Sequence, residues 1–391
     1  MNYPRQAKKS SGNDVIRLVH IITGLGMGGA EMLLYRLLSS MDRTRFEFTV
    51  ISLTDIGEIG PQISGLGIPV HALNINGFAA GARGLHKAVA LIRAGRPHVI
   101  QTWLHHADLF GTVAARLSGN PHLVWSLQCA KLLPDDVPRR NLQLVRALGW
   151  LSNLPQVVIS VSEAGRLAHS EAGYHPRRWE ILPNCFDTRV FSPDIRVRTS
   201  LRARLGVNDN DALIGLVGRY HPMKGHALFL QAARKLCNKR SGVVFVMAGH
   251  HVDERNQELA NQINELGLGG TVRALGMWPD IPGLLNALDI LTISSTSEGF
   301  PTVLGEAMAC GIPCVATDVG DCRAIIGETG RVVSPGNAEA LAEAWNELLI
   351  LPAQERRDLG RAARERICSS YGIDGVVERY QNLYEELAGA V

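Results

Sequence analysis

The chain has 391 residues, with 40 Lys and Arg against 37 Asp and Glu, a formal charge of +3. Hydrophobic residues are 46% and charged ones 20%, a globular composition that excludes a disordered or fibrous chain. So small a charge lacks the basic face of a nucleic-acid binder, and at roughly 100–200 residues per domain the length predicts two domains.

Residues 1–14 are polar, include Lys8 and Lys9, and read as a flexible N-terminus. They hold no apolar secretory core, and no apolar run of membrane-spanning length follows, so the sequence predicts a cytosolic protein. Seven scattered cysteines supply no zinc set and read as reduced packing residues. From Val15 the chain alternates. Val15–Ile22, Phe46–Leu53, Val99–Thr102, Leu123–Leu127 and Val157–Val161 read as strands, with helical spacing over Glu31–Leu38, Leu85–Ala94 and Ala107–Leu117. Continuous apolar strands separated by helices are the pattern of a parallel sheet buried on both faces. A charged stretch with Pro193 and the cluster Asn208-Asp209-Asn210-Asp211 interrupts the alternation. It restarts with strands over Ala212–Val217, Val243–Ala248, Thr271–Leu275, Ile290–Ser294 and Cys314–Thr317, and Gly375–Leu387 reads as a closing helix. The fold class is therefore α/β, with two doubly wound Rossmann-like domains. The boundaries read as 15–190, a linker over 191–211, a second domain over 212–372 and a closing segment over 373–391.

Ligands of such sheets sit at the carboxyl ends of the strands, so the segments that follow strands carry the functional reading. After the first strand come Gly24-Leu25-Gly26-Met27-Gly28-Gly29-Ala30-Glu31 and a helix start, a place where backbone amides attract an anion. Gly24, Gly26 and Gly29 match G-x-G-x-x-G and Asp55 follows the second strand, which keeps a nicotinamide dehydrogenase as a rival reading. Past Ala212–Val217 stand Arg219 and Lys224, two cations suited to a diphosphate. Past Ile290–Ser294 stand Glu298 and Glu306 with Gly299, Phe300 and Pro301 between them. Pro301 is placed to open a helix, whose free amides would face anionic oxygens while a carboxylate accepts from vicinal hydroxyls. Solvated cations and a helix-start carboxylate pair are the plain alternatives. Asp209-Asn210-Asp211 precedes a strand and reads as a turn, not a metal motif.

Taken together these residues resemble the retaining glycosyltransferases of family 4, of GT-B fold. Glu298 and Glu306 meet the family's E-x7-E pattern, Arg219 and Lys224 its basic pair, and Gly26-Met27-Gly28-Gly29-Ala30-Glu31 its glycine loop. Leu182-Pro183-Asn184 and Ala307-Met308-Ala309-Cys310-Gly311-Ile312-Pro313 are further echoes. The resemblance implies two domains facing each other across a cleft and transfer of a sugar from a UDP- or GDP-linked donor to a sugar or lipid-linked acceptor. A role in polysaccharide or glycolipid synthesis goes with it. By resemblance Arg219 and Lys224 hold the diphosphate, Glu306 the ribose, and Glu298 with the amides of Gly299 and Phe300 the donor sugar. Thr271–Met277 walls the base, and Gly28 and Gly29 close on the diphosphate. No cofactor or metal is expected.

Many members carry a His after the strand that here ends Trp125-Ser126-Leu127, and this chain has Gln128. Gln donates a hydrogen bond but shuttles no proton, which leaves His105 and His106 as further acceptor-side candidates. The basic, apolar segment Arg139–Leu151 suits either a core helix with a basic rim or peripheral contact with an anionic membrane. A nucleotide-sugar epimerase and a non-catalytic sugar-nucleotide binder share the same donor residues.

Overall fold

The structure, a computed structural model, describes residues 15–128, 139–208 and 210–389. In chain order its strands are β1 (Ile16–Ile22), β2 (Phe46–Ser52), β3 (Val70–Ala72), β4 (Val99–Trp103), β5 (His122–Leu127), β6 (Val157–Ser160) and β7 (Trp179–Ile181). They continue with β8 (Ala212–Val217), β9 (Val243–Ala248), β10 (Val272–Ala274), β11 (Ile290–Ile293), β12 (Cys314–Thr317) and β13 (Arg331–Val333). One sheet runs β3-β2-β1-β4-β5-β6-β7 and the other β10-β9-β8-β11-β12-β13. Their recorded strand pairs are parallel. Strand order reverses at β1/β4 in one and at β8/β11 in the other, the two crevices where doubly wound sheets take ligands. Two compact units are distinguished. The first runs to Trp125 and takes in Leu154–Val157 and the chain from Tyr380; the second holds Ser126–Asn153 and Val158–Arg379.

The central strands are buried along their length because helices cover both faces, and they are the continuous apolar runs of the sequence. Three short strands had no such signal: β3, β7 and β13 lie at sheet edges and are only half-buried throughout. Leu85–Ala94 proves to be the second half of a helix, Phe78–Gly95, whose first half is diluted by Gly81 and Gly84. Gly84 is there for contact, since a Cβ on it would come 2.9 Å from the Ile75 side chain.

The stretch read as a linker contains a helix, Ile195–Arg204, capped by Asp194, which accepts from the amides of Arg196 and Val197. Its charges are not spent on solvent: Arg198 and Arg202 both pair with Asp289, at 2.6 and 3.0 Å. Asp211 closes the turn ahead of β8 by accepting from Asn208, while Asp209 lies outside the described residues, as do residues 1–14. The core under β8, β9 and β11 is built on Phe229, Phe245 and Trp345, in edge and tilted ring contacts 5.3–5.8 Å apart. The buried Trp345 indole is satisfied by donating to Thr292 Oγ1 at 2.9 Å.

Three histidines are buried in these cores. Burial pushes His20 down to about 3, and His169 and His226 to about 4, from an ordinary 6.5. His20 Nδ1 accepts from the Trp103 indole, which fixes the neutral ring. In the unfolded chain each takes up a proton below its ordinary value, while the folded chain resists until about pH 4. Their stabilisation is therefore complete above 6.5 and is lost on acidification, at about 1.4 kcal/mol per pH unit for each site. Urea unfolding should show lower stability at pH 5 than at pH 7, with a shallower fall in His226→Gln. Equal stability at both pH values would contradict neutral buried histidines.

Candidate functional site

In the second unit, the loops leaving β8 and β11 are sewn together before any side chain reaches solvent. His221 caps the short turn Pro222–Lys224 by accepting from the Met223 amide. The Met223 carbonyl accepts from Thr296 N at 2.9 Å, and Ser294 Oγ lies 3.0 Å from the carbonyls of both Lys224 and Gly225. Gly225 is required here: its φ is +68°, and a Cβ would fall 2.0 Å from the Ser294 carbonyl oxygen. Lys224 is thus the last residue of a tight turn rather than the start of the helix, which begins at His226.

This stitching brings Lys224 Nζ to 2.7 Å from Glu298 Oε1. The same oxygen accepts from Ser295 Oγ at 2.5 Å. The Glu298 side chain is 10% exposed and that of Lys224 32%, so the carboxylate is nearly buried and the ammonium partly reaches solvent. Arg219 stands exposed just past β8 and makes no ion pair among the described residues. Lys224 and Glu298 are therefore brought into contact, and Arg219 is left with its charge uncommitted at the same strand ends.

Beyond Glu298 the chain turns into helix Thr302–Ala309, with Pro301 as its cap rather than, as the sequence suggested, its first residue. The difference is one position: Pro301 has an extended ψ of 100°, which leaves the amides of the next residues to open the helix. The Gly299 carbonyl accepts from Asp321 N at 3.1 Å, while the Gly299 and Phe300 amides donate to no backbone carbonyl among the described residues. Phe300 is anchored by stacking on Phe186, which in turn packs on Gly305 where a Cβ would meet its ring at 2.2 Å. Glu306 is buried one turn inside the helix. Past β10, Gly276 has φ +69° and Met277 is exposed, at the end of the stretch read as the base wall.

The first unit carries the glycine turn. Helix Gly29–Ser40 follows Gly28, which is extended and offers no side-chain cap. Glu31 folds back instead. Its carboxylate reaches its own backbone amide, burial raises its pKa, and Oε2 lies 2.3 Å from where a Gly28 Cβ would be. The helix mouth that attracts an anion already holds one of the chain's own. Also in this unit, His105 and His106 are the first residues of helix His105–Leu117, preceded by Leu104 at φ +74°. Gln128 belongs to the second unit, where its amide donates to Ser126 Oγ at 3.0 Å.

Sequence reasoning missed Ser294, Ser295 and Asp321. The run Ser294-Ser295-Thr296-Ser297 directly after a strand at the order reversal was the available signal. Among the described residues no group of three His, Cys, Asp or Glu is placed to hold a metal.

Residues 197–366 match the model of glycosyl transferases group 1, and residues 27–190 that of glycosyltransferase family 4. The chain belongs to this glycosyltransferase family. EpsF of Bacillus subtilis (strain 168) is 28% identical over 314 residues, 77% of this chain and 79% of EpsF. The D-inositol 3-phosphate glycosyltransferase of Mycobacterium tuberculosis (strain F11) is 30% identical over 327 residues, 80% of this chain and 66% of that protein. The crystal structure of HepE from Anabaena in complex with UDP matches with a TM-score of 0.84 at 24% identity, covering 95% of this chain and 100% of the other. Sucrose-phosphate synthase from Thermosynechococcus elongatus gives 0.79 at 19%, over 96% and 100% of the two chains. The fold of this glycosyltransferase is GT-B. The glycine turn accordingly belongs to a sugar transferase and not to a nicotinamide dehydrogenase.

In this glycosyltransferase Gly225 fixes the turn that presents Lys224. Gly225→Ala should destabilise the fold by at least about 1–2 kcal/mol, the cost of a left-handed alanine, and thermal unfolding measures it. Gly29→Ala, where a Cβ meets nothing within 4 Å, serves as the control and should leave the melting temperature unchanged. Equal melting temperatures for the two variants would remove Gly225 from this role.

Proposed function

We propose that the chain transfers a sugar from a nucleoside-diphosphate sugar to an acceptor hydroxyl with retention of anomeric configuration. The observation that carries this reading is the Lys224–Glu298 pair at the order reversal of the second sheet, with Arg219 uncommitted beside it. Cleaving the anomeric bond builds negative charge on the leaving diphosphate. Arg219 and Lys224 are the cations to receive it, and the amides at the start of helix Thr302–Ala309 add oriented dipoles. The Gly299 and Phe300 amides and the Glu298 carboxylate take the sugar, and the buried Glu306 takes the ribose. In the first unit, Gly28 and Gly29 open the helix on whose own amide the Glu31 carboxylate sits, and a donor anion would take that carboxylate's place.

Retention follows if the acceptor hydroxyl attacks from the face that the diphosphate leaves, with the departing phosphate taking the proton. Gln128 is compatible with that route because it needs only to hydrogen-bond the acceptor. UDP is the favoured nucleotide, supported by the UDP complex of the similarly folded HepE, with GDP the alternative. An epimerase or a silent binder would release no nucleotide in an acceptor-dependent way.

Removing a preorganised charge donor typically costs about 10²–10³ in turnover. Arg219→Ala and Lys224→Ala should each lose kcat by that order, and Glu306→Ala should chiefly weaken UDP binding. Near-normal nucleotide release by both cation variants would reject the assignment.

A lipid-linked acceptor, with assembly of a polysaccharide or glycolipid at the inner face of a membrane, is supported by helix Arg139–Leu151. On it Trp150 is 86% exposed and Arg146 is also exposed, while the side chains of Arg139, Arg140 and Asn141 lie outside the described residues. No described helix is long and apolar enough to cross a membrane. Co-sedimentation with anionic vesicles, reduced in Trp150→Ala, is the expected result. Wild-type protein left entirely in the supernatant would sink the membrane contact.

A further inference from the structure

Glu298 and Lys224 are each assigned to a ligand, yet in the structure they are bound to each other. A donor diphosphate that takes Lys224 removes the cation that pairs with the Glu298 carboxylate among the described residues. The group still touching that carboxylate is Ser295, whose Oγ donates to Oε1 at 2.5 Å. Ser295 is 2% exposed and its own backbone is pinned, since its carbonyl accepts from Thr317 Oγ1 of β12 at 2.6 Å. The preceding residue is pinned as well, by the two contacts of Ser294 Oγ with the carbonyls of Lys224 and Gly225. The Ser295 hydroxyl therefore projects from a backbone with little freedom, three residues before the carboxylate it holds.

We propose that Ser295 is a positioning residue that keeps the Glu298 carboxylate aimed at the donor sugar after Lys224 has left it for the diphosphate. This rests on the transferase reading given above. A hydrogen bond from a rigid hydroxyl to a charged group survives loss of the ion pair, because it depends on β11 and β12 and not on the flexible lysine stem. Alanine in its place leaves Glu298 free to follow Lys224 or to turn to solvent. The effect falls on the step in which the sugar is in place, not on recognition of the nucleotide.

The test is nucleotide release from a UDP- or GDP-linked hexose that the wild-type chain turns over, with UDP or GDP affinity and thermal unfolding measured alongside. Ser295→Ala should lower kcat by about 10–100-fold, the span of one charge-assisted hydrogen bond, with nucleotide affinity and melting temperature close to wild type. Ser295→Thr, which keeps the hydroxyl, should recover turnover. In the double variant Ser295→Ala/Glu298→Gln the loss should be no greater than in Glu298→Gln alone, since both act through one carboxylate. Wild-type turnover in Ser295→Ala overturns the proposal, as do multiplied losses in the double variant or a parallel loss of nucleotide affinity and stability. A wild-type chain that binds nucleotide but releases none from any donor overturns the transferase reading itself, a different result.

Discussion

An ion pair at the end of two strands organises the second unit's functional face. Lys224 and Glu298 come from loops that leave β8 and β11, neighbours in space although 74 residues apart in sequence, and they meet at 2.7 Å. They meet because β8 and β11 are adjacent parallel strands, and the reversal of strand order between them is where a doubly wound sheet opens a crevice. The backbone contacts of Met223, Lys224 and Gly225 with Ser294 and Thr296 then fix both loops as one body.

The energetics suit a site that must hold charge without a ligand. The pair lies between an exposed ion pair, worth about 0–1 kcal/mol, and a buried one, so Lys224 can leave only for another anion and Glu298 then relies on its hydrogen bond from Ser295. On the proposed reading, a diphosphate carries more negative charge than one carboxylate and reaches Arg219 as well, which lets it compete for Lys224. The glycine turn of the first unit repeats the device with different parts: there Glu31 occupies the helix mouth that an anionic ligand would use. In each unit a carboxylate of the chain's own sits on one anion-attracting element, Glu298 on Lys224 and Glu31 at its helix mouth, while Arg219 stays uncommitted. The chain is a group 1, family 4 glycosyltransferase, and the GT-B fold explains why there are two sheets with two order reversals.

Much of this was legible in the sequence because burial on both faces demands apolar runs. Strands such as Val243–Ala248 and Cys314–Thr317 match their sequence readings residue for residue. Three of the four edge strands were silent, β10 being the exception: Arg331–Val333 is half-buried and three residues long, and nothing distinguishes it from a loop. Lys224 and Glu298 could be found because each follows a strand, and strand ends are where ligands sit. Their contact could not, since it depends on which strands are neighbours. Ser295 was invisible for a related reason. A serine after a strand is common, and only the pinned carbonyl and the carboxylate three residues on make this one specific. Pro301 was misplaced by one position because its fixed φ suits a cap as well as a first helical residue.

The most direct test is the structure of this chain with UDP bound. If the pair is a placeholder for the ligand, Lys224 Nζ will be found about 3 Å from a β-phosphate oxygen and off Glu298, with Glu298 still on Ser295. A complex in which UDP lies elsewhere, with Lys224 and Glu298 still joined, would contradict the account.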